Sequence, residues 1–235
     1  MRYRALACDY DGTLALHGRV DEPTVAALER LLASGRKLLL VTGRELPELQ
    51  GIFPPMDLFA RVVAENGALL YRPAGREEKA LCESLPQAFI DTLRARGLPI
   101  SVGRVVVATW RPHEFTVLET IRDMGLDLQV IFNKDAVMVL PASINKATGL
   151  LAALHEMDLS PDRIVGIGDA ENDHAFLGLC GCSAAVANAL PAVKERVDIV
   201  TRGDHGAGVV ELIDALIAGA LEERRQQRFP QAAKG

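Results

Sequence analysis

The sequence lacks any apolar run long enough to cross a bilayer, and no dense block of lysine or arginine stands before its C-terminal stretch. The first absence argues against a membrane protein. The second, with a net charge of −5, argues against a nucleic-acid-binding protein. No charged and then apolar leader precedes the first predicted strand. We therefore expect a cytoplasmic protein with neither a membrane nor a nucleic acid as partner.

Cysteine is also scarce. The four cysteines are Cys8, Cys82, Cys180 and Cys182. Only Cys180 and Cys182 are close together, and their C-x-C spacing differs from the paired C-x-x-C clusters of zinc sites. We expect all four to be small apolar residues in a reducing compartment.

Apolar residues make up 49% of the 235 residues, which is enough for a large core. Strand-like apolar runs, such as 37–42 and 163–168, alternate with amphipathic helices towards both ends of the chain. This alternation is typical of a parallel sheet covered by helices on both faces. The sequence predicts an α/β fold with a Rossmann-like, doubly wound parallel sheet.

The middle of the chain follows a different pattern. Residues 72–79 are polar and contain both proline and glycine, so they indicate a linker. The next helices and strands predict a small α+β cap inserted at residues 79–141. The core would comprise residues 1–78 and 142–221. The charged, glutamine-rich stretch 222–235 is expected to fray.

Two carboxylates, Asp9 and Asp11, follow the first predicted strand. Residues two apart on a strand point the same way, so both can face one site. Carboxylates that close repel each other, which invites a divalent cation or leaves one of them protonated. Gly12 permits a sharp turn there. A plain turn and a calcium loop share this composition, but residues 13–16 offer none of the alternating ligands of a calcium loop.

Further polar groups follow later strands, and all should lie at the same sheet edge. They are Thr42 and Gly43 after the second strand, Asp169, Asn172 and Asp173 after a later strand, and Lys146 at the start of a helix. A hydroxyl with free N–H groups can bind an anion. Clustered aspartates need a cation, and hard oxygen ligands favour Mg²⁺. Lysine opposes the helix dipole in a first turn, so a partner is expected. The alternatives are a helix-capping aspartate and a solvated lysine.

Taken in order, these segments resemble the four motifs of the haloacid dehalogenase-like (HAD) phosphohydrolases. The matching segments are Asp9-Tyr10-Asp11-Gly12-Thr13, Thr42-Gly43-Arg44, Lys146 and Gly168-Asp169-Ala170-Glu171-Asn172-Asp173. The later stretch from Asn188 to Val209 resembles the Cof-type branch, whose cap is inserted between the second and third motifs. The short insertion is similar in size to the caps of sucrose-phosphate, mannosyl-phosphoglycerate and archaeal phosphoglycolate phosphatases.

The resemblance implies a Mg²⁺-dependent phosphomonoesterase. Its substrate would be a small phosphorylated metabolite, such as a sugar phosphate or a phosphoglycolate-like acid, and the reaction would pass through an aspartyl-phosphate. The resemblance implies that Asp9 is the nucleophile and Asp11 the general acid and base. It implies phosphate binding by Thr42, Gly43, Lys146 and Asn172. It also implies that Mg²⁺ binds Asp9, the Asp11 carbonyl and Asp169, with Asp173 close by. Repulsion from Asp9 would favour the proton that Asp11 needs.

Cap closure would select the leaving group, with candidate contacts from Arg44, Asn66, Trp110, Arg111 and the region of Asn133 and Lys134. Trp110 is equally consistent with a residue of the cap core as with a substrate contact. Arg111 is equally consistent with a solvated surface residue. One alternative is a phosphomutase of the phosphomannomutase type, which needs a larger cap. Another is a non-catalytic, phosphate-responsive regulatory protein, against which Asp11 argues. The sequence carries no signal for the oligomeric state.

Overall fold

The computed structural model describes residues 2–133 and 135–221. The predictions for Lys134 and for the stretch 222–235 therefore lie outside the described residues. Within the described ranges, no helix is both long enough and apolar enough to cross a membrane. None of the four cysteines, all of which lie in the described ranges, forms a disulfide; two are buried and two partly buried.

Apart from the unpredicted strands β5 and β6, the strands and helices follow one another in the predicted order. The strands are β1 (Ala5–Cys8), β2 (Lys37–Val41), β3 (Arg61–Ala64), β4 (Leu69–Arg72), β5 (Glu77–Ala80), β6 (Ser101–Val102), β7 (Val107–Trp110), β8 (Leu128–Asn133), β9 (Ala136–Pro141), β10 (Ile164–Gly168), β11 (Cys182–Ala185) and β12 (Ile199–Val200). The helices are α1 (Glu22–Ala33), α2 (Leu46–Ile52), α3 (Gln87–Ala95), α4 (Glu114–Asp123), α5 (Lys146–Glu156), α6 (His174–Leu179), α7 (Pro191–Lys194) and α8 (His205–Ile217).

The larger sheet contains eight strands in the order β12-β11-β10-β1-β2-β3-β4-β5. All pairs from β12 to β3 are parallel, and the last two pairs are antiparallel. Every residue of β1 and β10 is buried, as expected for strands covered on both faces. The predicted doubly wound parallel sheet is confirmed.

The inserted unit has its own antiparallel sheet, in the order β6-β7-β9-β8. Helices α3 and α4 supply Phe89, Leu93 and Val117 to an apolar cluster with Val107 and Val139 of the sheet. Burial of these side chains gives the unit a small core separate from that of the larger sheet.

The predicted linker at residues 72–79 is only partly correct. Residues Glu77–Ala80 form β5, which pairs with β4 at the edge of the larger sheet, so the predicted boundary after residue 78 falls inside a strand. All four β5 residues are exposed. Because no side chain of β5 is buried, its sequence lacks the alternation of apolar and polar residues that predicts a strand. Charged side chains on an edge strand also hinder pairing with another chain.

Candidate active site

The site lies where three neighbouring parallel strands end. Asp9 follows β1, Thr42 follows β2 and Asp169 follows β10. Because β1 lies between β10 and β2, these three residues meet at one edge of the sheet. Carboxylate oxygens of Asp9, Asp169 and Asp173 all lie within 4.8 Å of one another, and all three residues are buried.

Lys146 is the cation of this cluster. It is the first residue of α5, whose N-cap Asn145 accepts backbone hydrogen bonds from Ala147 and Thr148. The Lys146 side chain is 1% exposed, and its ammonium donates to Asp9 Oδ1 and to Asp173 Oδ1, both at 2.6 Å. Burial alone would lower the pKa of Lys146, but the charges of Asp173 and Asp9 outweigh it and raise that pKa. The lysine has the partners that its place in the first helical turn led us to expect.

Asp173 both shapes the loop after β10 and belongs to the cluster. Its Oδ2 accepts from the backbone N–H groups of Asp169 (2.8 Å) and Ala170 (3.0 Å), while Oδ1 accepts from Lys146. The alternative that Asp173 caps the following helix is wrong, because its side chain makes no cap hydrogen bond to α6 and instead binds the backbone before the short 3₁₀ turn Glu171–Asp173. Thr13 donates to Asp169 Oδ1 at 3.1 Å, a contact that sequence reasoning did not assign.

Three carboxyl groups converge in this cluster, and the Lys146 ammonium pairs with two of them, Asp9 and Asp173. Burial raises the pKa of Asp9, the charge of Asp173 raises it further, and Lys146 opposes both. Three converging carboxylate groups are a hard oxygen donor set of the kind that Mg²⁺ prefers. The residues therefore fit the predicted metal.

The Asp11 carboxylate lies outside this cluster and is paired with Arg44. Arg44 Nε donates to Asp11 Oδ2 at 2.6 Å and Nη2 donates to Oδ1 at 2.7 Å, while Nη1 contacts Glu48. Strand alternation does not govern Asp11, because β1 already ends at Cys8. The expectation for the proton on Asp11 took into account only its neighbour Asp9 and not Arg44. The general-acid role predicted for Asp11 would require this ion pair to open.

The segment after β2 places its polar groups close to Arg44. Thr42 is fully buried, and its hydroxyl accepts the backbone N–H of Arg44 at 3.1 Å. A Cβ at Gly43 would lie 3.1 Å from the Asn66 amide and 3.3 Å from the end of Met138. Glycine therefore lets the chain pass close to both side chains.

Asn66 and Asn172 contact each other. Asn172 Nδ2 donates to Asn66 Oδ1 at 2.9 Å, and Asn66 Nδ2 contacts Met138 Sδ at 2.6 Å. Asn172 Oδ1 is buried and has no hydrogen-bond partner in the described part of the chain. The two asparagines thus connect the loop after β10 with strand β9 of the inserted sheet.

The remaining candidates line two cavities. Trp110 and Asn133 line one of about 390 Å³ together with Asp11, Gly43 and Arg44. Trp110 is 48% exposed, which rules out the alternative of a cap-core residue and leaves its predicted substrate contact a prediction. Arg111 lines a second cavity, of about 450 Å³, with Asn66, Lys146 and Asn172, and its guanidinium lies over the Phe132 ring.

Sequence reasoning gave no role to the residues that hold the Gly12 carbonyl. Asn188 Nδ2 donates to it at 2.8 Å and His205 Nδ1 lies 2.9 Å from it, while the His205 backbone N–H donates to Asn188 Oδ1. Asn188 belongs to the stretch that resembles the Cof-type branch. No pattern in the sequence indicated that it would bind the Gly12 carbonyl, which lies 176 residues away. These bonds fix the turn between Asp11 and Thr13.

Residues 6–103 and 128–213 match the family of haloacid dehalogenase-like hydrolases, and the chain belongs to this family. Phosphoglycolate phosphatase 2 of Saccharolobus solfataricus is 30% identical over 91% of this chain and 92% of its own. A phosphoglycolate phosphatase of Methanothermobacter thermautotrophicus is 31% identical over 89% of this chain and 97% of its own.

A solved haloacid dehalogenase-like hydrolase of Bacteroides thetaiotaomicron superposes with a TM-score of 0.77 at 19% identity, over 91% of this chain and 99% of its own. This likeness shows the shared fold. The family that the four motifs predicted is confirmed.

Proposed function

We propose that the protein hydrolyses the phosphomonoester of a small carboxylate-bearing metabolite, with Mg²⁺ held by Asp9, Asp169 and Asp173. The predicted enzyme class, a phosphatase, is confirmed by the phosphoglycolate phosphatases to which the chain is similar. The observation that supports the residue roles is the buried Asp9 carboxylate, fixed by Lys146 beside two further acids. Mg²⁺, when bound there, would neutralise charge between the carboxylates and the phosphate.

The reaction proceeds in two displacements at phosphorus. Asp9 attacks, the bond to the ester oxygen breaks, and Asp11 gives its proton to the leaving alcohol. Asp11 then takes a proton from water, which attacks the aspartyl-phosphate, releases phosphate and regenerates Asp9. Lys146, the Thr42 hydroxyl and the Gly43 N–H stabilise the phosphoryl oxygens during both steps. The backbone carbonyl of Asp11 as a further metal ligand, and phosphate contact by Asn172, stay predictions.

The Asp11–Arg44 pair suggests the class of substrate. Among the described residues that line the 390 Å³ cavity, Arg44 is the only cation. In a 2-phosphoglycolate-like substrate, a carboxylate lies next to the carbon that carries the ester oxygen. That carboxylate can replace Asp11 on Arg44 and so release Asp11 to protonate the leaving oxygen. A neutral sugar hydroxyl is a much weaker competitor for a guanidinium.

Phosphate release by the purified protein tests this proposal. With Mg²⁺, we expect turnover of p-nitrophenyl phosphate, and a kcat/KM for 2-phosphoglycolate at least about tenfold above that for glucose 6-phosphate. No release, or equal release by Asp9→Asn, would refute it. Conversion of mannose 1-phosphate to the 6-phosphate without phosphate release would instead identify a mutase. A partner-binding response to beryllofluoride without turnover would identify a regulatory protein. A cytoplasmic location and the absence of nucleic-acid or membrane partners stay predictions from composition.

A further inference from the structure

A further acidic residue near the site, Glu65, has no part in the chemistry described above. It is 1% exposed and opens the short 3₁₀ turn Glu65–Gly67, between β3 and β4. Both Glu65 and Asn66 have a positive φ, of 51° and 52°, which is uncommon for residues with side chains. Such strained conformations persist only where surrounding contacts stabilise them.

The backbone N–H groups of Glu65 and Asn66 donate to the carbonyls of Arg44 and Thr42 in the core, and the Glu65 side chain is held by the inserted unit. Glu65 Oε1 accepts the backbone N–H of Arg104 at 2.9 Å, and Oε2 accepts those of Val105 (2.8 Å) and Val106 (2.9 Å). These three amides belong to the turn between β6 and β7. A single core carboxylate thus holds an entire turn of the cap by hydrogen bonds to a charged acceptor, which are stronger than neutral ones.

The turn is shaped to admit this carboxylate. A Cβ at Gly103 would lie 2.9 Å from the carboxyl carbon and both oxygens of Glu65, closer than real Cβ contacts allow. The surrounding cluster is apolar and almost inaccessible; it consists of Ala68, Val105, Val106, Leu140 and Ile144. In this dry setting the hydrogen bonds face little competition from water.

The other end of the 3₁₀ turn reaches the catalytic cluster. A Cβ at Gly67 would lie 2.0 Å from the Asn145 carbonyl, directly before Lys146. Asn66, between the two ends, contacts both Asn172 and Met138. The Glu65–Gly67 turn therefore touches the β6–β7 turn, strand β9, the loop after β10 and the start of α5.

The β6–β7 turn and the strand after it both line the 390 Å³ cavity, the turn through Val106 and β7 through Ala108 and Trp110. Asp11 and Arg44 line the same cavity. We propose that Glu65 is a positioning residue for leaving-group selection, because it fixes the cap wall of this cavity relative to Asp11 and Arg44. Glu65 touches neither the phosphoryl group nor the metal in this assignment.

The test compares Glu65→Gln with Glu78→Gln, an exposed glutamate on β5. Glutamine keeps the size of the side chain but loses the charge and presents an amide N–H₂ to the backbone donors. In Glu65→Gln we expect hydrogen–deuterium exchange of the 104–106 amides to rise by about tenfold or more. The ratio of kcat/KM for 2-phosphoglycolate to that for p-nitrophenyl phosphate should also change by about tenfold. Gly103→Ala should alter the ratio similarly from the cap side.

Loss of folded protein lowers both rates equally, so it leaves the ratio unchanged. An unchanged ratio, or unchanged exchange at 104–106, would overturn the proposal, and Glu78→Gln should match the wild type in both. The activity readout rests on the proposed function. If the wild type releases no phosphate, that function fails, whereas the exchange measurement still decides whether Glu65 holds the turn.

Discussion

The catalytic cluster and the cap wall of the cavity are built on opposite principles. Asp9, Lys146, Asp169 and Asp173 are at most 4% exposed and lie within a dense set of short polar contacts. Trp110, on the cap wall, is 48% exposed. The first region is preorganised for one chemical step, while the second leaves space for a leaving group. Substitutions should therefore abolish the reaction in one region and alter selectivity in the other.

The largest expected effect is at Asp9. Asp9→Asn should lower kcat by about 10⁴-fold or more, because the amide cannot act as the nucleophile. Phosphate release under saturating substrate measures this, with the exposed Asp91→Asn of α3 as the control. A comparable loss in Asp91→Asn would show that the difference between the two regions is not real.

Lys146 and Lys79 offer a direct contrast between a buried and an exposed ion pair. Lys146→Met leaves Asp9 and Asp173 buried without their cation, so the free energy of unfolding of the metal-free protein should fall by about 3–5 kcal/mol. Lys79→Met breaks an exposed pair with Glu156 and should cost about 0–1 kcal/mol. Urea denaturation measures both, and similar losses would contradict the contrast.

Arg44 should affect selectivity more than the chemical step. Arg44→Gln should lower kcat/KM for 2-phosphoglycolate relative to p-nitrophenyl phosphate by about ten- to hundredfold, because the substrate carboxylate loses its charged partner. Arg30→Gln, which breaks an exposed pair with Asp214, is the matched control. Equal losses for both esters in Arg44→Gln would place Arg44 in the general machinery instead.

The smallest effect concerns stability and pH in the metal-free protein. The pKa of Asp9 is raised in the folded state, above an unfolded value of about 4. Between the unfolded and the folded pKa of Asp9, the folded protein retains a proton that the unfolded chain has already lost. The free energy of unfolding therefore falls as pH rises through this interval. Asp9→Asn should lose less stability over it.

A thermal melt series across this pH range is the measurement. At neutral pH the variant should unfold at a higher temperature than the wild type, because it has no raised pKa to lose stability through. Mg²⁺ should reduce the difference by stabilising the wild type. A lower unfolding temperature for the variant would contradict the sign.

The catalytic edge could be predicted because parallel strands place their carboxyl ends together whatever their separation along the chain. Asp9, Thr42 and Asp169 follow from that rule, and Lys146 follows from its unfavourable place in a helix. The Asp11–Arg44 pair could not be predicted, since it depends on the direction of a long side chain. The contacts of Glu65 could not be predicted for another reason. Its partners are backbone amides, which have no signature in the sequence.

The central claim is that Asp9 carries the phosphoryl group between substrate and water. Acid quenching of the enzyme with 2-phosphoglycolate and Mg²⁺, followed by mass spectrometry of the peptide that contains Asp9, tests it directly. We predict the mass of one added phosphoryl group on Asp9, absent in Asp9→Asn. Turnover with phosphate on another residue, or unchanged turnover in Asp9→Asn, would contradict the claim.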